Sequence, residues 1–251
     1  MPSTPRAPII WVTRTAPYNR LTARRLRSAG FDPLIEPALR VVPLPSAKPI
    51  AVPDALVFTS LQGVRLHRYF PSLADIPVFA VGDHSARLAQ RRGYRRVTSA
   101  SGDVHDLCHL IRESMPLGAN ILHMSAARPA GDLPALLSKD GFVVRRQCVY
   151  ETVEAGALAL EWIAGVLADI DTILVHSPRA GRHVAAWLDQ QRPHWSGLIC
   201  CISAAAAAPF HELANARVAI ATQPDETMLL NTLLSQKRLA MHGSGSAAGA
   251  S

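Results

Sequence analysis

A chain of 251 residues, about half of them apolar, is long enough for one large domain or two small ones, each with a packed core. The formal charge is +7, and the excess is almost all arginine, because lysine occurs only at Lys48, Lys139 and Lys237. Such a surface suits an anionic partner, but no zinc-finger spacing, base-reading basic helix or RNA-binding aromatic motif accompanies it, and no run approaches the ~20 apolar residues of a membrane span, so neither nucleic acid nor a bilayer is expected.

In chain order, short runs rich in Val, Ile and Leu predict strands at 9–13, 33–36, 55–58, 78–81, 96–98, 120–124, 142–148, 172–175, 198–202 and 217–221. Helical stretches at 18–29, 61–69, 84–92, 103–113, 131–139, 156–168, 179–190, 204–214 and 225–236 alternate with them. This is the α/β pattern of parallel sheets with crossover helices. Gly30, Gly93 and Gly141 each follow a helical run, where a left-handed cap is expected.

The pattern repeats in pieces. Asp54-Ala-Leu-Val-Phe-Thr-Ser returns in outline as Asp171-Thr-Ile-Leu-Val-His-Ser, and Ile9-Ile-Trp-Val-Thr-Arg as Ile121-Leu-His-Met-Ser-Ala-Ala-Arg. The order A, B, A′, B′ predicts two flavodoxin-like lobes with a cleft between them. Residues 1–38 and 154–237 form a discontinuous lobe, and 46–147 form the other. Residues 39–45 and 148–153 read as extended connectors that pair as a two-stranded β linker. Two sequential lobes split near residue 118 would leave those connectors without a role. Residues 238–251 end in Gly, Ser and Ala and are expected to be disordered.

In parallel sheets ligands bind beyond the carboxyl ends of the strands. Arg14, Thr59, Ser60, Gly82, Ser85, Ser125, Arg128, Ser177, Arg179, Ser203, Ala204 and Ala205 fall there. Most lie where a helix begins, and free N–H groups at a helix start attract an exposed carboxylate by roughly 0.3–1 kcal/mol. Helix capping alone is the other reading of Ser60, Ser85, Ser177 and Ser203. No dinucleotide-binding glycine motif, phosphate loop or nucleophile elbow occurs. His105, Cys108 and His109 share a helical face but lack a fourth ligand, so no metal is expected. Cys108, Cys148, Cys200 and Cys201 read as reduced core thiols, and residues 1–8 lack the apolar core of a signal peptide, which points to the cytoplasm. Tyr150, on the second connector, reads either as a packing residue or as a hydroxyl donor facing a basic cleft.

Taken in order, Val12-Thr-Arg14, Leu56-Val-Phe-Thr-Ser60, Val78-Phe-Ala-Val-Gly82-Asp-His-Ser85, Val149-Tyr150-Glu-Thr-Val, Val175-His-Ser177-Pro178 and Pro224-Asp-Glu-Thr-Met-Leu-Leu resemble the uroporphyrinogen-III synthase family over almost the whole chain. The resemblance implies an enzyme of porphyrin biosynthesis that needs no cofactor. Its substrate would be hydroxymethylbilane, an octacarboxylate, with hydroxymethylbilane synthase as the candidate source and a monomer as the expected state. It also implies that Tyr150 assists departure of the terminal hydroxyl. Closure through a spiro intermediate then inverts the last pyrrole ring. The small-residue loop departs from the family's Ile-Gly-x-Thr-Thr-Ala: here it reads Ile202-Ser203-Ala204-Ala205-Ala206-Ala207. The alternative to the enzyme is a two-lobe protein that binds an anionic tetrapyrrole or other polycarboxylate without turnover.

Overall fold

A computed structural model describes residues 6–45, 51–129, 131–191, 194–213 and 216–245. The chain divides into two compact units, Met1–Arg40 with Val153–Ser251 and Val41–Thr152.

The first unit holds a five-stranded parallel sheet, in which β1 (Ile9–Val12), β2 (Asp32–Ile35), β9 (Ile170–Val175), β10 (Leu198–Cys201) and β11 (Arg217–Ile220) lie in the order β11-β10-β9-β1-β2. Alternation along each strand sends neighbouring side chains to opposite faces. Ile10, Val12, Leu174 and Cys200 pack with Leu26 of α1 (Tyr18–Ser28) and with Leu229 and Leu233 of α9 (Glu226–Gly245). Trp11, Ile173, Val175 and Cys201 point the other way. They pack against Ile163 of α6 (Ala157–Val166), Val184 and Leu188 of α7 (Pro178–Asp189), and Phe210. Adjacent Cys200 and Cys201 therefore sit in different cores, and burial pushes both thiols up to about 12.

The second unit holds β4 (Ala55–Phe58), β5 (Pro77–Ala80), β6 (Arg96–Ser99), β7 (Asn120–Ala126) and β8 (Val143–Glu154), parallel throughout in the order β8-β7-β4-β5-β6. One face packs on α2 (Leu61–Leu66) and α3 (Asp83–Arg91), the other on α4 (Val104–Ser114) and α5 (Leu133–Lys139). The strand β3 (Leu39–Pro43) lies at the edge beside β8. Ala155 N–H donates to Ala38 O and Leu44 N–H to Val149 O, so this pair runs antiparallel. Residues 148–153 form the second half of the twelve-residue strand β8.

Both sheets have the same spatial plan. Numbered within its own stretch of chain, the first reads 2-1-3-4-5 and the second 3-2-1-4-5, which is the same layout cut at a different connection. The repeat order A, B, A′, B′ has this geometric meaning.

Three helices end elsewhere than the sequence predicts. The helix expected over 61–69 stops at Leu66, because the His67 ring turns back with Nδ1 2.8 Å from Val64 O and 3.2 Å from Gly63 O, taking up the last carbonyls. The helix expected over 204–214 is α8 (Ala204–Ala207) followed by a 3-10 turn, Ala208–Phe210. Pro209 has no N–H to continue the α ladder, and residue 214 lies outside the described residues. The disordered tail expected from 238 is a continuation of α9 as far as Gly245. Extending an existing helix adds one bond per residue fixed, so Gly and Ser are carried by the turns before them. Residues 246–251 lie outside the described residues. Gly30, Gly93 and Gly141 have the positive φ expected of left-handed caps.

Candidate active site

Strand order fixes where a ligand can sit. In each sheet the connections leave in opposite directions from one adjacent pair of strands, and the crevice beyond their carboxyl ends is the expected site. That pair is β1 with β9 in the first unit and β4 with β7 in the second.

In the first unit, Arg14 follows β1 and His176-Ser177 follows β9, and both turn toward the start of α9. Glu226 lies there with a side chain only 13% exposed, beside Arg14 at 25% and His176 at 6%. Its Oε2 accepts from Arg14 Nη1 and, at 3.1 Å, from His176 Nε2; its Oε1 accepts from Thr22 Oγ1 of α1 at 2.5 Å. Burial alone would raise this carboxyl. The hydrogen bonds from His176 and Thr22, with the Arg14 charge, outweigh it and hold the carboxyl down to about 2. Burial lowers His176 against the pull of Glu226. The Arg14 guanidinium, stacked 4.7 Å from the Tyr18 ring centre, is therefore a compensated charge with donors to spare rather than a free cation. Ser177 caps α7 by accepting from Ala180 N, and Arg179 is half-buried in that helix's first turn. Ser203 caps α8 by accepting from Ala206 N, leaving Ala204 and Ala205 exposed.

In the second unit, Ser60 caps α2, its Oγ accepting from Gly63 N at 3.0 Å and lying 3.0 Å from the Tyr150 hydroxyl. Tyr150 is 9% exposed and packs in the core of that unit, so it fills the packing role and also offers a polar tip. Thr59 Oγ1 lies 2.9 Å from Nε2 of His123, a ring on β7 with 1% exposure. Gly82 caps α3 with extended backbone, and a Cβ built there meets nothing within 4 Å. Ser85, in the first turn of α3, is buried and caps nothing. Ser125 is buried and donates to Ala126 O. Arg128 is exposed. The sequence-predicted residues thus form two groups, one per unit: Arg14, Ser177, Arg179, Ser203, Ala204 and Ala205 in the first, the rest in the second. Glu226, His176, Thr22 and His123 are additions that the sequence did not single out.

Among the described residues no group of three or more His, Cys, Asp or Glu side chains could hold a metal. His105 and His109 are exposed while Cys108 between them is buried, which separates the face they share on α4. No described helix is long and apolar enough to cross a membrane.

The family model for uroporphyrinogen-III synthase HemD matches residues 21–231. The chain belongs to the uroporphyrinogen-III synthase family. Its place is therefore in porphyrin and tetrapyrrole biosynthesis, with a small-molecule tetrapyrrole substrate and the chemistry of a cyclising lyase. The fold is that of uroporphyrinogen-III synthetase from Helicobacter pylori, 18% identical over 92% of this chain and 100% of that one, TM-score 0.63. A mutant uroporphyrinogen III synthase from Thermus thermophilus matches over 94% and 100% at 14% identity, TM-score 0.53. No curated protein matches the chain significantly by sequence.

Proposed function

We propose that the chain acts as a cytoplasmic, monomeric hydro-lyase that converts hydroxymethylbilane to uroporphyrinogen III, with the substrate handed over from hydroxymethylbilane synthase. The family match over residues 21–231 is the observation that carries this reading. The strand-end groups Arg14, Ser177, Arg179, Ser203, Ala204 and Ala205, and Thr59, Ser60, Gly82, Ser85, Ser125 and Arg128, would receive substrate carboxylates.

Tyr150 is the proton donor in this scheme. Ser60 Oγ accepts from Gly63 N, and donating its own hydrogen to Tyr150 leaves the phenol O–H free for the departing hydroxyl. The C–O bond breaks, the hydroxyl leaves as water with the phenol proton, and the bilane becomes an azafulvene. Closure at the substituted carbon of the last pyrrole, fragmentation and reclosure invert that ring. The proton lost on rearomatisation restores the phenol. Positioning carries the selectivity, because unaided closure does not invert the ring.

The test is to supply hydroxymethylbilane and identify the uroporphyrin isomer after oxidation. The III isomer is expected. Isomer I alone, at the unaided rate, would overturn the reading in favour of a binding protein without turnover.

A further inference from the structure

His123 is an anomaly in the second unit. It stands in the buried run Ile121-Leu122-His123-Met124 of β7, beside Val57 of β4 and Arg146 of β8. Its Nε2 meets Thr59 Oγ1, but its buried Nδ1 has no hydrogen-bond partner among the described residues. Burial, reinforced by the Arg146 charge, lowers the ring to about 4, so it is neutral at physiological pH and carries one N–H.

Two tautomers are open to a neutral ring. With the proton on Nδ1, a buried N–H is left without an acceptor. With the proton on Nε2, the orphan is only a lone pair, and under-satisfied acceptors are the commoner of the two in native structures. The second arrangement makes Nε2 the donor to Thr59 Oγ1. Thr59 then cannot donate to His123, and its hydroxyl has no other partner among the described residues. Its own hydrogen must point elsewhere. Thr59 is half-buried just beyond the end of β4, at the crevice between β4 and β7.

We propose that His123 is a positioning residue that commits the Thr59 hydroxyl to act as a hydrogen-bond donor toward a carboxylate of the ligand. This rests on the functional reading above, and it names the chemistry of one contact that strand-end position alone leaves open. A hydroxyl held this way discriminates: it favours an anionic acceptor and offers a donor ligand no well-placed partner.

Two measurements test it. Nitrogen-15 NMR of the folded protein should find the His123 proton on Nε2; a proton on Nδ1 overturns the proposal without any mutation. The second is a cycle of Thr59→Val, His123→Leu and the double variant, with His123→Gln as the conservative control. His123→Leu should raise KM for hydroxymethylbilane about 10-fold, the scale of one hydrogen bond to a charged group, with a smaller change in kcat. His123→Gln, whose amide can still donate, should restore most of it. In the Thr59→Val background His123→Leu should add nothing further to KM. An equal rise in both backgrounds would mean a packing role and overturn the proposal. Formation of isomer III by the unmutated chain tests the functional reading separately. If that is absent, the same cycle read by quenching on uroporphyrin III binding still decides the His123 role.

Discussion

Glu226 offers the sharpest test of the first unit. Glu226→Gln preserves shape and removes one charge from the centre of three donors on α1 and the loops after β1 and β9. A carboxyl held at about 2 instead of its ordinary 4.5 corresponds by linkage to roughly 3 kcal/mol of stability. The 25% exposure of Arg14 screens part of this, which leaves about 2 kcal/mol. For a chain of this length that lowers Tm by about 4–8 °C. The folded-state value is depressed, so the stabilisation is complete above the unfolded value of 4.5 and fades as pH falls toward 2, with roughly half remaining near pH 3. The assay is equilibrium unfolding of both proteins from pH 7 down to pH 3. In the charge-removed background Arg14→Met should cost less than it does alone. A Tm change under 1 °C at pH 7, or a difference that stays constant with pH, would refute the coupling.

Tyr150→Phe keeps the ring in its core and loses only the phenol oxygen; turnover should fall about 10-fold or more with isomer purity retained, and equal rates would return Tyr150 to packing alone. His67 and His123, both lowered to about 4 chiefly by burial, take up protons on unfolding below 6.5. Urea unfolding should therefore show stability falling by roughly 2–4 kcal/mol between pH 7 and pH 5, and a flat profile contradicts the assignment. Gly82→Ala should lower Tm by only a few degrees, since its Cβ has room and only the N-cap preference for Gly over Ala is lost, yet weaken uroporphyrin III binding if a carboxylate approaches that backbone N–H; unchanged affinity removes Gly82 from the site. Gly181→Ala, whose Cβ would lie 2.5 Å from Ala206 O, should cost about 1–3 kcal/mol in the same melts.

The strands were legible because each is a short apolar run between turn residues, and a fully buried run such as Leu198–Cys201 admits few other readings. The parallel arrangement followed from the alternation of strands with helical stretches, whereas the strand order came from the structure. Helix ends were less legible where a side chain decides them, as His67 does for α2. Ser60, Ser177 and Ser203 proved to be caps, and Ser85 did not. Glu226 was missed although its stretch was quoted. An acidic residue in a first helical turn is adequately explained by the helix dipole, and its partners Thr22 and Arg14 lie 204 and 212 residues away. His123 left one signal, a polar ring at an inward position of a buried run, and that signal does not say which neighbour it meets.

The cut that gives the two sheets one layout from different stretches of chain also sets a timetable for synthesis. Thr13, just past β1, bonds to Leu174 O, 161 residues away, whereas the strands of the second unit's parallel sheet run from Ala55 to Glu154 and are all complete before β9 begins at Ile170. A ribosome adding 5–20 residues per second leaves the apolar Ile9–Val12 without its β9 neighbour for roughly 10–30 s, and for about the last 1–3 s of that wait the second unit has all its strands. The middle of this protein can therefore complete its sheet before its beginning does, and until β9 is made Ile9–Val12 has only β2 to pair with. A chain truncated at residue 160 should protect 51–152 from protease and leave 6–40 open to cleavage; equal protection of both would show that β1 finds a partner before β9 exists.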